Sequence, residues 1–119
     1  MDFSSGRDLC SNSPMFEDWT DAHPGVFSGG SPLRSLYKVH RGMTQIQPRI
    51  KDVTTPFLVI QGGDDVVTSA AFAQKLVEQA PARDKQLLYR PTMRHKVSNE
   101  PNASELIDEI LIWLNHRLA

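Results

Sequence analysis

The stretch Pro56-Phe57-Leu58-Val59-Ile60-Gln61-Gly62-Gly63-Asp64-Asp65-Val66-Val67-Thr68 most narrows what this chain can fold into. Phe57 to Ile60 is a continuous apolar run, which suits a strand covered on both faces, as in a parallel sheet. Pro56 can open such a strand, because a missing N–H is tolerated at the first position. Gly62 and Gly63 come next as a turn, and are expected to adopt backbone angles that a side chain would forbid. Asp64 and Asp65 are thereby delivered at the carboxyl end of a strand, the edge where open α/β sheets carry their sites.

Residues 68–118 fit the same architecture. Thr68 or Ser69 can cap a helix whose Phe72, Ala73, Leu76, Val77 and Ala80 share a face, and Pro81 stops it. Lys85 to Arg90 reads as a second strand. Strand, helix and strand at this spacing make a βαβ unit, which is parallel and almost always right-handed. The loop Pro91-Thr92-Met93-Arg94-His95 comes next. Asn102, with Glu105 three residues on, predicts a capped last helix, with Leu106, Ile107, Ile110, Leu111, Trp113 and Leu114 on its apolar face. Its acidic residues lie early, and His116 and Arg117 late, as the helix dipole prefers.

Upstream, Ser31-Pro32 reads as an N-cap and first helical residue. Leu33, Leu36, Val39 or His40, Met43 and Ile46 recur at helical spacing, and Pro48 ends or kinks that helix. Residues 1–31 are rich in Ser, Gly and Pro and predict loops and short turns, with Asp21-Ala22-His23-Pro24 as one turn. Phe16, Trp19, Val26 and Phe27 are too apolar for a free tail. The chain thus divides into an irregular segment, 1–31, and an α/β part, 32–119.

A chain of 119 residues with 39% hydrophobic and 23% charged residues is of globular composition. A formal charge of −1 carries no nucleic-acid footprint. Cys10 is the single cysteine, so neither an intrachain disulfide nor a Cys-rich zinc site is available. No cofactor and no metal are expected. No apolar run reaches the length of a membrane span, and the N-terminus lacks an apolar signal core. A cytoplasmic location is the resulting expectation.

The chemistry lies in an acid after one strand and a histidine after the next. A buried aspartate can accept a hydrogen bond from an imidazole N–H, fix its tautomer and steady the imidazolium, leaving the other nitrogen to take a proton from a serine. Asp65 and His95 are separated by room for one helix and one strand, in the order acid then histidine. On pattern alone Asp65 is equally a turn carboxylate capping the helix from Thr68, and His95 equally an exposed loop histidine. Asp64 is the alternative acid. His23, His40 and His116 read as surface or helix-face residues, Cys10 as a plain thiol and Trp113 as core.

At these residues the chain resembles the C-terminal part of monoacylglycerol lipase-like α/β hydrolases, the serine aminopeptidase-type or lysophospholipase-like group. The resemblance rests on Val53 through Thr68, on Asp84 through Tyr89, on Met93-Arg94-His95, on Glu100-Pro101-Asn102 and on Ile110 through Leu114. It is good from about residue 48 to 118 and fainter before; Asp21 to Gly29 echoes the end of a cap region, where Trp19 and Phe27 would line an acyl-binding surface. It implies an α/β fold with a parallel βαβ core and flanking helices. It also implies Asp65 as catalytic acid, His95 as catalytic base, and a lipid or small-molecule ester as substrate, with peripheral contact to a lipid surface allowed. Arg94 and Lys96 flank His95 where the family carries smaller or less polar residues, and two cations disfavour a charged imidazole.

No Gly-x-Ser-x-Gly nucleophile elbow occurs; Gly29-Gly30-Ser31 is followed by Pro32-Leu33. The resemblance implies that the elbow and most of the sheet would precede Met1. The expectation is therefore a serine hydrolase site of which this chain carries the acid and the histidine. The competing expectation is a non-enzymatic binding module that pairs, or self-associates, through an exposed sheet edge.

Overall fold

The computed structural model describes residues 10–26 and 32–118. Its centre is a two-stranded parallel sheet, β1 (Phe57–Gly62) and β2 (Lys85–Arg90). The register runs from Phe57 opposite Lys85 to Gly62 opposite Arg90. Three helices precede or connect the strands: α1 (Pro14–Ala22), α2 (Leu33–Ile46) and α3 (Ala70–Gln79). The last helix, α4, spans Ala103–Leu118. Short 3₁₀ turns cover Gln47–Asp52 and Val97–Asn99.

The crossover forms where the sequence predicts it. Ser69, rather than Thr68, caps α3, its hydroxyl accepting from the Phe72 N–H at 3.3 Å. Pro81 follows the helix, whose last N–H bond runs from Ala80 to the Leu76 carbonyl. Ala82 then donates to the Val53 carbonyl at 3.0 Å, which ties the end of the crossover to the approach to β1.

On one face of the sheet Leu88, Met93 and Leu106 form the core, with Leu58, Ile60, Val97 and Ile110 packed against them. Met93 and Leu106 are the most enclosed, at 2% and 1% exposure. Ala73 of α3, with Ile50, Ala80 and Ala82, adds a second buried group. Near the far end of α4, Arg117 lies over the Trp113 ring at 3.6 Å and pairs with Asp84 just before β2.

Three expectations need correction. The segment expected to be loops contains a helix, α1: Ser13 caps it and Pro14 takes its first turn, the Ser-Pro signal read only at Ser31-Pro32. Ser31 and Phe27 lie outside the described residues; Pro32 occupies the N-cap position and Leu33 opens α2, one residue later than expected. The apolar run of β1 is half-buried from Phe57 to Ile60, because among the described residues only one of its edges is paired. The apolar stripe of α2 is present but exposed, with Leu33 at 85%.

Candidate active site

The carboxyl ends of the two strands converge through backbone contacts. The Gly63 N–H donates to the Arg90 carbonyl at 2.7 Å, and the Asp64 N–H to the Met93 carbonyl at 3.1 Å. The turn after β1 is thereby bonded to the turn after β2. Both glycines are needed for this approach, though not for the reason the sequence suggests, since neither adopts positive φ. A Cβ on Gly62 would lie 2.6 Å from the Arg94 carbonyl oxygen and nearer still to that of Met93. A Cβ on Gly63 would meet the Pro91 carbonyl and the Tyr89 hydroxyl. The glycines are places where one backbone passes against another.

This convergence brings Asp65 and His95 together. His95 Nδ1 stands 3.1 Å from Asp65 Oδ2; the aspartate side chain is 4% exposed and the imidazole 34%. Asp65 also organises its own turn. Its Oδ1 accepts from the Val67 N–H at 2.7 Å and the Thr68 N–H at 2.9 Å. Its Oδ2 accepts from the Thr68 hydroxyl and, at 3.3 Å, from the Gln61 amide. The turn-carboxylate and acid readings are therefore compatible in one side chain.

Burial works to raise the Asp65 pKa. The Thr68 hydroxyl and N–H, His95 and the Val67 N–H together outweigh it and hold the carboxyl well below the usual carboxylate range. An ionised carboxylate has no proton to donate. The shared hydrogen is then donated by His95 Nδ1, and in the neutral imidazole this tautomer leaves the lone pair on Nε2. Such an imidazole can take a proton from a hydroxyl and return it to a leaving group.

The other candidates lie apart from this pair. Asp64 is exposed, its backbone N–H engaged with Met93. The His23 Nδ1 accepts from the Gly25 N–H at 3.1 Å, and its ring packs on Trp19, so it closes the turn after α1. His40 and His116 are exposed on helices, and Trp113 is half-buried. Gln61 and Thr68, which support Asp65, escape a reading of the sequence alone. A polar residue ending an apolar strand and a hydroxyl three residues after an aspartate were the available signals. The cations flanking His95 are both engaged. Lys96 Nζ sits 4.5 Å above the Phe16 ring, and Arg94 donates to the Ser11 carbonyl at 3.4 Å.

A family pattern described as "Serine aminopeptidase, S33" matches residues 4–102, most of the chain. The chain belongs to this family. It is 29% identical over 110 residues to a monoacylglycerol lipase of Mycolicibacterium smegmatis, covering 90% of this chain and 38% of that protein. It is 31% identical over 116 residues to a monoglyceride lipase of Rattus norvegicus, covering 94% of this chain and 34% of that one. The chain thus spans little more than a third of the length of these curated relatives. Among solved structures it superimposes on a soluble variant of monoglyceride lipase from Saccharomyces cerevisiae, in complex with a substrate analog. The TM-score is 0.81 at 17% identity, over 98% of this chain and 43% of that one. A monoacylglycerol lipase of Paleococcus ferrophilus gives a TM-score of 0.79 at 21% identity, over 91% of this chain and 42% of that one. The fold of this chain is accordingly part of an α/β-hydrolase fold.

Proposed function

We propose that this chain supplies the acid and base of a serine hydrolase site for carboxylic esters, of the monoacylglycerol or lysophospholipid class. The observation that carries this reading is the pairing of Asp65 with His95 Nδ1, which leaves Nε2 free at a third-exposed imidazole. In the reaction, a serine hydroxyl gives its proton to His95 Nε2 as its oxygen attacks the ester carbonyl. The Nε2 proton then passes to the departing alcohol, and a water repeats the sequence to release the acid. Asp65 keeps the tautomer and offsets the charge of the imidazolium throughout. The choice of ester class leans on the names of the two curated relatives. The 119 residues hold no Gly-x-Ser-x-Gly, so the serine is expected from polypeptide outside them.

A chimaera tests this. Residues 10–119 replace the matching part of the Mycolicibacterium smegmatis monoacylglycerol lipase, and monoacylglycerol hydrolysis is assayed. Activity abolished by His95→Ala supports the reading. A folded chimaera whose hydrolysis is indifferent to His95 and Asp65 overturns it. The isolated chain is expected to take no label from a fluorophosphonate.

A second reading draws on β1, whose edge away from β2 is unpaired among the described residues. In that reading the chain binds a partner, or a second copy of itself, by strand addition. The apolar stripe of α2 is exposed as well. None of the helices of the described residues is long and apolar enough to cross a membrane. Size-exclusion chromatography of the isolated chain checks self-association.

A further inference from the structure

The loop that carries His95 leaves β2 at Arg90 and returns to the chain's last helix at Ala103. Its two ends are tied by one residue from the other end of the sequence. The Asn12 side-chain amide donates to the Thr92 carbonyl at 3.0 Å and to Glu100 Oε2 at 2.7 Å. The Asn12 backbone N–H donates to Glu100 Oε1, also at 2.7 Å. Thr92 lies before His95 and Glu100 after it, so Asn12 closes the neck of the loop. Glu100 is only 6% exposed. A buried carboxylate needs donors, and both of its oxygens find them on Asn12.

The neighbours of Asn12 add to the same tie. The Lys96 N–H, one residue from His95, donates to the Cys10 carbonyl at 2.7 Å. The Ser11 hydroxyl donates to the Asn99 carbonyl at 3.2 Å. The turn bonds to Asp64 reach the loop only at its start, through Met93. From Arg94 onward, the loop packs Val97 against the core and exchanges hydrogen bonds with the segment before α1.

We propose that Asn12 and Glu100 form a latch that sets the position of His95, and that they are positioning residues for its pairing with Asp65. The proposal rests on the reading of His95 as the base. A base must be held to within a fraction of an ångström of its working place, and a loop of this length does not hold itself there. The latch acts through the loop backbone and touches neither imidazole nor substrate. It also couples the opening segment of the chain to a site formed some eighty residues later.

The test uses Asn12→Ala, Glu100→Gln and the double variant of the full chain. Asn12 is exposed, so its truncation leaves the packed core in place. Two readouts are taken: amide hydrogen exchange over residues 94–98, and the His95 tautomer from long-range ¹H–¹⁵N spectra. Each single variant is expected to speed loop exchange by roughly tenfold or more, the loss of a hydrogen bond to a charged group. The amides of β1 and β2 should exchange as before, and His95 should move from a pure Nδ1–H form to a mixture. The double variant should be little worse than either single one, since both break the same tie. Unchanged loop exchange in Asn12→Ala, or acceleration equal in loop and strands, would overturn the latch. Asp65→Asn separates the two ideas. If the His95 tautomer ignores Asp65 while Asn12→Ala still loosens the loop, the latch stands and the reading of His95 as base fails.

Discussion

Gly62 faces the carbonyl oxygens of Met93 and Arg94 at a distance that leaves no space for a Cβ. Those atoms belong to backbone, which cannot swing aside as a side chain can. The closeness is what lets the turn after β1 bond to the turn after β2 and set Asp65 beside His95. Gly62→Ala is therefore expected to destabilise the chain by about 3 kcal/mol, in the range of overpacked sites. Gly42 makes the opposite case: a Cβ there meets nothing within 4 Å, and the residue sits inside α2. Gly42→Ala should stabilise by about 0.5–1 kcal/mol through helix propensity. Urea unfolding of the two variants against the parent reads both signs in one experiment.

Asp65→Asn keeps the shape of the side chain and removes its charge. The amide would present an N–H₂ where His95 Nδ1 now donates, which favours the wrong tautomer. In the active chimaera with the Mycolicibacterium smegmatis lipase, kcat should fall by about 10⁴-fold, as expected when a triad acid is neutralised. KM for a monoacylglycerol should change little, because Asp65 is not expected to touch the substrate. Steady-state hydrolysis gives both numbers.

Although burial pushes the Asp65 carboxyl up, the donors of Thr68, His95 and Val67 hold it below its ordinary value of 3.8. In the unfolded chain it has no such donors and binds a proton more readily. Stability therefore rises with pH wherever the unfolded state carries the extra proton. The contribution of Asp65 is whole above its ordinary value and is lost as pH falls through the lower value of the folded state. In urea titrations between pH 7 and pH 2, the parent should lose stability relative to Asp65→Asn once the pH drops below about 4. Thr68→Val, which removes the donor with the largest lowering effect, should narrow that difference.

Much of this was legible in the sequence because the relevant signals are local. The run Phe57 to Ile60, the cap at Ser69, Pro81 and the strand from Lys85 to Arg90 define the crossover without any tertiary information. Topology puts both strand ends on one edge, but the choice of Asp65 and His95 as partners came from the family resemblance, since the pattern alone left both residues open. The segment before Pro14 was not legible in the same way. Asn12 gains its meaning from Thr92 and Glu100, far away along the chain, and no period or cap announces such a contact. Helix α1 was obscured by the Ser, Gly and Pro around it, although Ser13-Pro14 carried the start signal. The two glycines stand out in the sequence for the wrong reason. A turn residue suggests special angles, whereas here the demand is for clearance between two backbones.

Met93 joins the core to the site. Its side chain is 2% exposed and packs with Leu88 and Leu106, while its carbonyl accepts the Asp64 N–H at 3.1 Å and its N–H donates to the Arg90 carbonyl at 3.2 Å. Leu106 is as deeply buried and lies in the same cluster, but its backbone belongs to α4 rather than to the converging turns. Met93→Ala and Leu106→Ala should each lower stability by about 2–5 kcal/mol, the transfer and cavity cost of a large core residue. They should differ at His95. A cavity under Met93 frees the stretch that leads into the His95 loop, so the imidazole should lose its uniform Nδ1–H form. Leu106 reaches that stretch only by side-chain packing in the cluster, so Leu106→Ala should disturb the tautomer less than Met93→Ala. Urea unfolding combined with imidazole ¹H–¹⁵N spectra, both at a denaturant concentration where each variant is folded, checks whether equal losses of stability have these unequal effects.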